Sequence, residues 1–179
     1  MGLILQDQVC SLELAHKLLT LRVKQESYFV WLEPKKDSDN FNPVVKVWGS
    51  LSPFDTQANP YNLSSLVSAF TASELMKLLP DRVDTNKNHP FNFFRFIMER
   101  HLVVEGEVKH VFNINYASDT IKFSRELMED EVQYHALFSP RLIKPSIYDE
   151  NLANCASRVL IYLIENNLVS VEEINLRND

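Results

Sequence analysis

The stretch YDENLANCASRVLIYLIENNLVS, residues 148–170, has the most regular apolar pattern in this chain of 179 residues. Its apolar side chains recur at the spacing of one helix face; they are Leu152, Ala156, Val159, Leu160 and Leu163. The pattern predicts a helix over 150–167, capped by Asp149, whose stripe is wide enough to lie on a sheet. A core role is favoured over a partner-binding surface, because such stripes usually face a core.

Shorter helices are predicted from their first turns. A capping box joins Thr71 to Glu74 and Ser170 to Glu173, and apolar staple residues flank each box. Pro80 ends the first of these helices. Further helices are predicted over 11–21, where Ser11 is the cap, and over 124–138, which ends before Pro140.

Strands are predicted in two pairs. SYFVWLE (27–33) and VVKVWG (44–49) form a hairpin with a long loop, and the first of them is covered on both faces. The composition of residues 91–104 is compatible with a helix, but their density of Phe, Ile and Val favours a strand. This strand turns at Glu105-Gly106 into EVKHVFNINYA. The chain is therefore predicted to be one α+β domain, 1–179, with an antiparallel sheet of four to five strands packed against the long C-terminal helix.

Composition and charge narrow the function classes. The net charge of −6 argues against nucleic-acid binding, which needs clustered Lys and Arg. No apolar run is long enough to span a membrane, and no signal peptide is evident, so a cytoplasmic location is expected. Three glycines, at 2, 49 and 106, cannot form the Gly-rich phosphate loops of nucleotide enzymes.

One pair of histidines is a candidate metal site. With a two-residue turn at Glu105-Gly106, His101 falls opposite His110, and Glu99 lies on the same face. Two imidazoles so placed are able to share a metal ion, although a third ligand is not evident. The alternative is two exposed polar residues near the tip of the hairpin.

Thiol and carboxylate chemistry is the next possibility. Cys10 and Cys155 lack the sequence context of a nucleophile, and Cys155 is predicted to be an inert thiol within a helix. They form no disulfide framework. The acidic run ELMEDE contains Glu126, Glu129, Asp130 and Glu131, and reads as the solvated first turns of a helix. No catalytic, cofactor-binding or metal-binding residue is therefore assigned.

Three aromatic residues form the last candidate site. Trp31 and Trp48, with Tyr28, have the composition of a platform for bases or sugars. The nearby lysines are offset by acids, so the three rings are interpreted as core residues.

Four blocks of sequence resemble a family of small, uncharacterised bacterial and prophage-associated proteins. The blocks are VCSLELAHKLLTLRVKQESYFVW, AFTASELMKLLP, NINYASDT and YDENLANCASRVLIYLIENNLV. The resemblance implies a small cytoplasmic α+β protein, often carried on mobile elements, with no activity or site residues to transfer. Arg22 stands where the family commonly has glycine, and Cys155 where alanine is usual.

These observations favour a non-enzymatic protein that acts through a surface, by self-association or by binding a host or phage protein. The excursion at 50–65 and the aromatic strand at 91–104 are the suspected surfaces. Phe91, Phe93, Phe94 and Phe96 exceed what one sheet face normally buries, which suggests a homodimer. A metal-dependent or thiol enzyme, and an acidic decoy of a nucleic-acid-binding protein, remain the alternatives.

Overall fold

The computed structural model describes residues 5–35, 42–48, 61–62, 65–85, 93–105, 107–118 and 141–177. Within these ranges the helices are a 3₁₀ helix Leu5–Gln8, α1 Leu12–Thr20, α2 Ala72–Leu78, α3 Leu152–Glu165 and α4 Val171–Leu176. The strands are β1 Phe29–Leu32, β2 Val44–Val47, β3 Val67–Ser68, β4 Arg82–Asp84, β5 Phe93–Glu105, β6 Glu107–Ser118 and β7 Tyr148–Asp149.

The strands form two antiparallel sheets. One has the order β2-β1-β3 and the other the order β4-β5-β6-β7. The α+β class, the antiparallel four-stranded sheet and the packing of the long C-terminal helix are therefore confirmed. The prediction had one sheet, whereas the first predicted hairpin belongs to a sheet of its own.

The long helix α3 lies at the centre of the described structure. It packs against β6 and β7 on one side and against α1 and α2 on the other. Its predicted stripe is buried at Ala156, Val159, Leu160 and Leu163. Burial also extends around the helix to further residues, which are Ala153, Cys155, Ser157 and Ile161. The helix is thus a core element, because it is covered by helices as well as by a sheet.

The helix caps largely follow the prediction. Ser11 caps α1, and both capping boxes form, at Thr71 of α2 and at Ser170 of α4. The predicted cap of α3 is wrong. Asn151 is the N-cap residue, while Asp149 accepts a hydrogen bond from the Asn151 N–H at 2.9 Å and so supports the cap from outside the helix.

The long hairpin is confirmed, but its predicted register is wrong. Glu105 pairs with Glu107 across the single residue between them, so the turn does not consist of the pair Glu105-Gly106. His110 therefore pairs with Leu102 rather than with His101. A register shift of one residue moves every side chain of a strand to the other face of the sheet. The metal-site hypothesis depends on this register.

The two faces of the four-stranded sheet are covered differently. Ile114 and Tyr116 face α3 and are fully buried. On the opposite face Asn115 is also fully buried and Asn113 is 2% exposed. Their amides bond to the backbone of the segment 141–147: Asn115 reaches both the carbonyl and the N–H of Ile143, each at 3.0 Å, and Asn113 reaches a carbonyl at 2.8 Å.

Asparagine side chains from the last two helices hold the N-terminal segment. Asn151 donates to the carbonyls of Asp7 and Val9, and Asn154 accepts from the N–H of Ser11 at 2.7 Å. Asn175 of α4 donates to the Arg22 carbonyl and accepts from the Lys24 N–H. The segment around α1 is thus fastened by groups that lie more than 140 residues away in sequence.

Helix α1 ends in a left-handed residue that is not glycine. Arg22 has φ of 64°, its N–H bonds to Leu19 O, and the Val23 N–H bonds to Leu18 O. These two bonds form a Schellman motif. Glycine commonly occupies this left-handed position, but here the residue is arginine. Its Cβ makes the left-handed conformation less favourable in free energy than it would be for glycine.

Several predictions lie outside the described residues. They are the helix over 124–138, the acidic residues Glu126, Glu129, Asp130 and Glu131, the side chains of Phe91 and Phe93, and most of the excursion at 50–65.

Candidate functional site

The two histidines of the proposed metal site do not come together. The register places His101 and His110 on opposite faces of the hairpin. Glu99 does lie beside His101, with 3.6 Å between Glu99 Oε2 and His101 Nε2, as the shared face predicted. No group of three metal-ligating side chains occurs among the described residues. The His101–His110 metal hypothesis is therefore wrong.

Glu99 and His101 instead belong to a polar cluster on the face of the sheet that bears Asn113. Arg141 Nη2 donates to Glu99 Oε1 at 2.8 Å. The rings of His101 and Tyr148 meet edge to face, with centroids 5.7 Å apart. All the charged side chains of this cluster remain more than a third exposed, so the ion pairs contribute little to stability.

The two cysteines are free, buried thiols. Burial raises the pKa of the Cys155 thiol to about 11, and this thiol donates to the carbonyls of Phe112 and Ile147. Burial also raises the pKa of the Cys10 thiol, which outweighs the lowering by the nearby Ser157 side chain. A thiolate is the reactive form, so both environments disfavour nucleophilic chemistry.

The three aromatic residues have different environments. Trp31 is a core residue, as predicted, and its Nε1–H donates to the Cys10 carbonyl at 3.0 Å. The core interpretation is wrong for the other two, because the side chain of Tyr28 is 79% exposed and that of Trp48 is 56% exposed. Both residues lie just beyond the ends of β1 and β2, where they are linked by a 2.9 Å bond from the Trp48 N–H to the Tyr28 carbonyl.

Tyr28 and Trp48 line an open groove of about 700 Å³, which we call the aromatic groove. Its floor includes the buried Val30 and Ser68 of the three-stranded sheet. The remaining lining residues come from the loop before β1, from α2 and from the end of α4: Gln25, Glu26, Ser27, Glu74, Lys77 and Arg177. The continued register of β1 and β2 puts both rings on the face of Val30.

Glu74 builds the wall of the aromatic groove and is fully engaged in doing so. Its carboxylate accepts from the N–H and hydroxyl of Thr71, from the Ser27 hydroxyl and from the Tyr28 N–H, at 2.7 to 3.1 Å. The capping box at the start of α2 is thereby extended to the loop before β1. It fixes the backbone on which Tyr28 is carried.

The other charged groups of the groove divide into paired and unpaired residues. Glu26 is 2.9 Å from Lys24 Nζ. Lys77 is exposed and forms no ion pair within the described ranges. Among the described residues, the one hydrogen bond of the Arg177 side chain is a long one of 3.5 Å to the Leu79 carbonyl. Two cationic side chains therefore line the groove without a carboxylate partner among the residues that the structure describes.

Sequence reasoning singled out Tyr28 and Trp48 but missed the groove. The exposed position of the rings follows from the strands ending at Phe29 and Val47, and strand ends are the least certain part of a sequence prediction. Lys77 and Arg177 could not be singled out from the sequence, because they are distant in sequence and line the same groove only in the folded chain. Among the described residues, no helix has the length and apolar character that a membrane span requires.

Comparison with known proteins adds no identification: no family model, no curated protein and no solved structure matches the chain. The resemblance to prophage-associated proteins therefore stays a prediction.

Proposed function

We propose that this protein is a non-enzymatic interaction module that holds a segment of another protein in the aromatic groove. The supporting observation is the pair of exposed rings, Tyr28 and Trp48, on adjacent strands beside an open cavity. Tyr and Trp are enriched among the residues that contribute most to protein interfaces. Their backbones are held by strand and capping hydrogen bonds, so little ordering remains to oppose binding.

The cysteine environments weigh against the thiol-enzyme alternative, since burial raises the pKa of both thiols. The metal-dependent alternative depended on a pair of neighbouring histidines, and the observed register keeps His101 and His110 apart. Elemental analysis of untagged protein tests that alternative further, and a stoichiometric metal would revive it. The free state of both cysteines suits a reducing compartment, and this observation supports the cytoplasmic location that we propose for the module.

Self-association is the second version of this proposal. It was motivated by the four phenylalanines of the predicted strand 91–104, of which Phe94 and Phe96 are half-buried and pack against the core. That packing accounts for part of the apolar excess. Light scattering over a range of protein concentrations tests whether the protein forms a homodimer. A rise in molar mass with concentration supports a homodimer, and a constant monomer mass contradicts it.

The groove is tested by comparing three proteins as baits in lysate of the native host. These are the wild type, the double variant Tyr28→Ala/Trp48→Ala, and Tyr148→Ala, which removes an aromatic side chain 53% exposed on the other sheet. We expect the partner to be retained by the wild type and by Tyr148→Ala. The double variant should retain at least about tenfold less, because hot-spot side chains each contribute 2 kcal/mol or more.

Equal recovery of the same proteins by all three baits would contradict the groove as the binding surface. Trp48 also offers a direct reading with purified partner. It is the exposed one of two tryptophans, so a groove-bound partner should protect its fluorescence from acrylamide while buried Trp31 changes little.

A further inference from the structure

We infer that the segment held by the aromatic groove is acidic, with an apolar or aromatic side chain flanked by carboxylates. This inference rests on the proposed function, because it names the chemistry of the partner at the same site. It comes from the charges that the fold leaves unpaired around the rings.

The carboxylates of the groove are already engaged. Glu74 accepts four hydrogen bonds from its own helix cap and from the loop before β1, and it lies at the positive end of α2. Glu26 is paired with Lys24. Neither group has a strong need for a cation from a partner.

The cations of the groove are not engaged in the same way. Lys77 and Arg177 are exposed on elements far apart in sequence and line one cavity, without a carboxylate partner among the described residues. Charge complementarity across an interface then calls for a negatively charged segment. The exposed rings add an apolar contact of the kind that an aliphatic or aromatic side chain fills.

A protein segment fits this groove better than a nucleic acid. Stacking rings beside cations are also a feature of single-strand binders. Those proteins, however, neutralise a long phosphate backbone with a continuous basic surface. The described lining of this groove offers two cations without an ion-pair partner in the described ranges, and the chain has a net charge of −6. A short acidic peptide makes its contacts locally and meets less repulsion from the rest of the chain.

The first experiment selects ligands without assuming a sequence. A phage-displayed library of random peptides is selected on the wild-type protein, and each clone is then tested on Tyr28→Ala/Trp48→Ala. We expect the clones that lose binding to the double variant to be rich in Asp and Glu around an apolar residue. If no clone depends on the rings, the groove proposal itself fails.

The second experiment tests the cations with a synthetic peptide from that selection. The double variant Lys77→Glu/Arg177→Glu should bind it at least about tenfold more weakly, since each reversal replaces an attraction for the carboxylates of the peptide by a repulsion. The control is Arg100→Glu, a charge reversal at an exposed position of the other sheet. This control should bind within about twofold of the wild type, and salt near 1 M should remove most of the difference.

The outcomes separate the two proposals. Ring-dependent clones that are neutral or basic would leave the groove as a binding site and overturn the acidic partner. Equal weakening by Arg100→Glu would overturn it too, because the effect would then belong to the net charge. Tighter binding of oligothymidylate than of any selected peptide, lost in the Lys77→Glu/Arg177→Glu variant, would replace the protein segment by a nucleic acid.

Discussion

The three-stranded and the four-stranded sheets are both covered on two faces near their centres, but by different groups. In the first, apolar side chains are buried on both faces: Trp31 on the side of the main core, Val30 and Leu32 on the other. In the second, the face away from α3 carries Asn113 and Asn115, whose amides bond to the backbone of 141–147. One sheet depends on apolar burial for its second face, and the other depends on specific hydrogen bonds.

The difference has a consequence for where each sheet meets solvent. Hydrogen-bonded asparagines tie the segment 141–147 to the four-stranded sheet. In the three-stranded sheet, burial on the face of Val30 and Leu32 does not extend to Tyr28 and Trp48, which stay exposed at its end. The aromatic groove lies at that end, so the binding surface and the tightly bonded face belong to different sheets.

The largest expected effect comes from Asn115→Leu, which keeps the branched shape of the side chain and removes its amide. The N–H and carbonyl of Ile143 and the N–H of Tyr116 all lose their bonds to this residue. At about 1–3 kcal/mol for each unsatisfied buried group, we expect the free energy of unfolding to fall by about 4 kcal/mol, measured by urea denaturation. Asn113→Leu, which loses the bond from the Asn113 amide to the Ile147 carbonyl, should cost about 1–2 kcal/mol. Equal small losses would show that volume alone covers this face.

Leu32→Ala probes the apolar cover of the other sheet. Leu32 is 2% exposed, and truncation of such a side chain should lower the free energy of unfolding by about 3 kcal/mol. The measurement is again urea denaturation, with Leu19→Ala as the control, because Leu19 is 41% exposed on α1. A loss no larger than that of the control would mean that the second face of this sheet does not contribute to stability.

Alkaline pH should weaken the packing of α3 on the four-stranded sheet through Cys155. The pKa of this buried thiol rises from 9.0 to about 11, so the folded protein retains the proton at a pH where the unfolded chain has released it. Stability from this group is therefore complete below pH 9 and is lost as the pH rises toward 11, by about 2.5 kcal/mol. Urea midpoints under reducing conditions should fall less steeply over this range for Cys155→Ala. Parallel pH profiles for the two proteins would contradict the assignment.

The smallest effect is expected where the apolar cover stops. Tyr28→Ala and Trp48→Ala remove exposed side chains and should each change the free energy of unfolding by less than about 0.5 kcal/mol. Thermal or urea denaturation gives the value. A loss of 2 kcal/mol or more from either change would identify the rings as structural and would remove them from the groove proposal.

The sequence predicts the parts of this fold that have local causes. The capping boxes at Thr71 and Ser170, the buried helix α3 and the hairpin β5–β6 all follow from spacing or composition, and the structure confirms them. The hairpin register was off by one residue because it depended on a turn type. That error was enough to create a false metal site.

The groups with distant partners could not be predicted. The alternation in FNINYA places Asn113 and Asn115 opposite the core face, where polar residues normally meet solvent, and the segment that buries them lies about 30 residues later. The short strands β3, β4 and β7 were missed for a different reason, since two or three residues are too few to show a period. Lys77 and Arg177 likewise come to line one groove only through the tertiary fold.

The asparagine bonds between the N-terminal segment and the last two helices also bear on how the protein forms during translation. Helix α1 leaves the ribosome well before the side chains that bond to its flanks, since Asn151, Asn154 and Asn175 follow it by about 130 to 155 residues. Contacts between such distant positions close late and slowly. The nascent N-terminal helix must therefore wait with its apolar face unpartnered by α3, and the native arrangement is completed only when nearly the whole described chain has emerged.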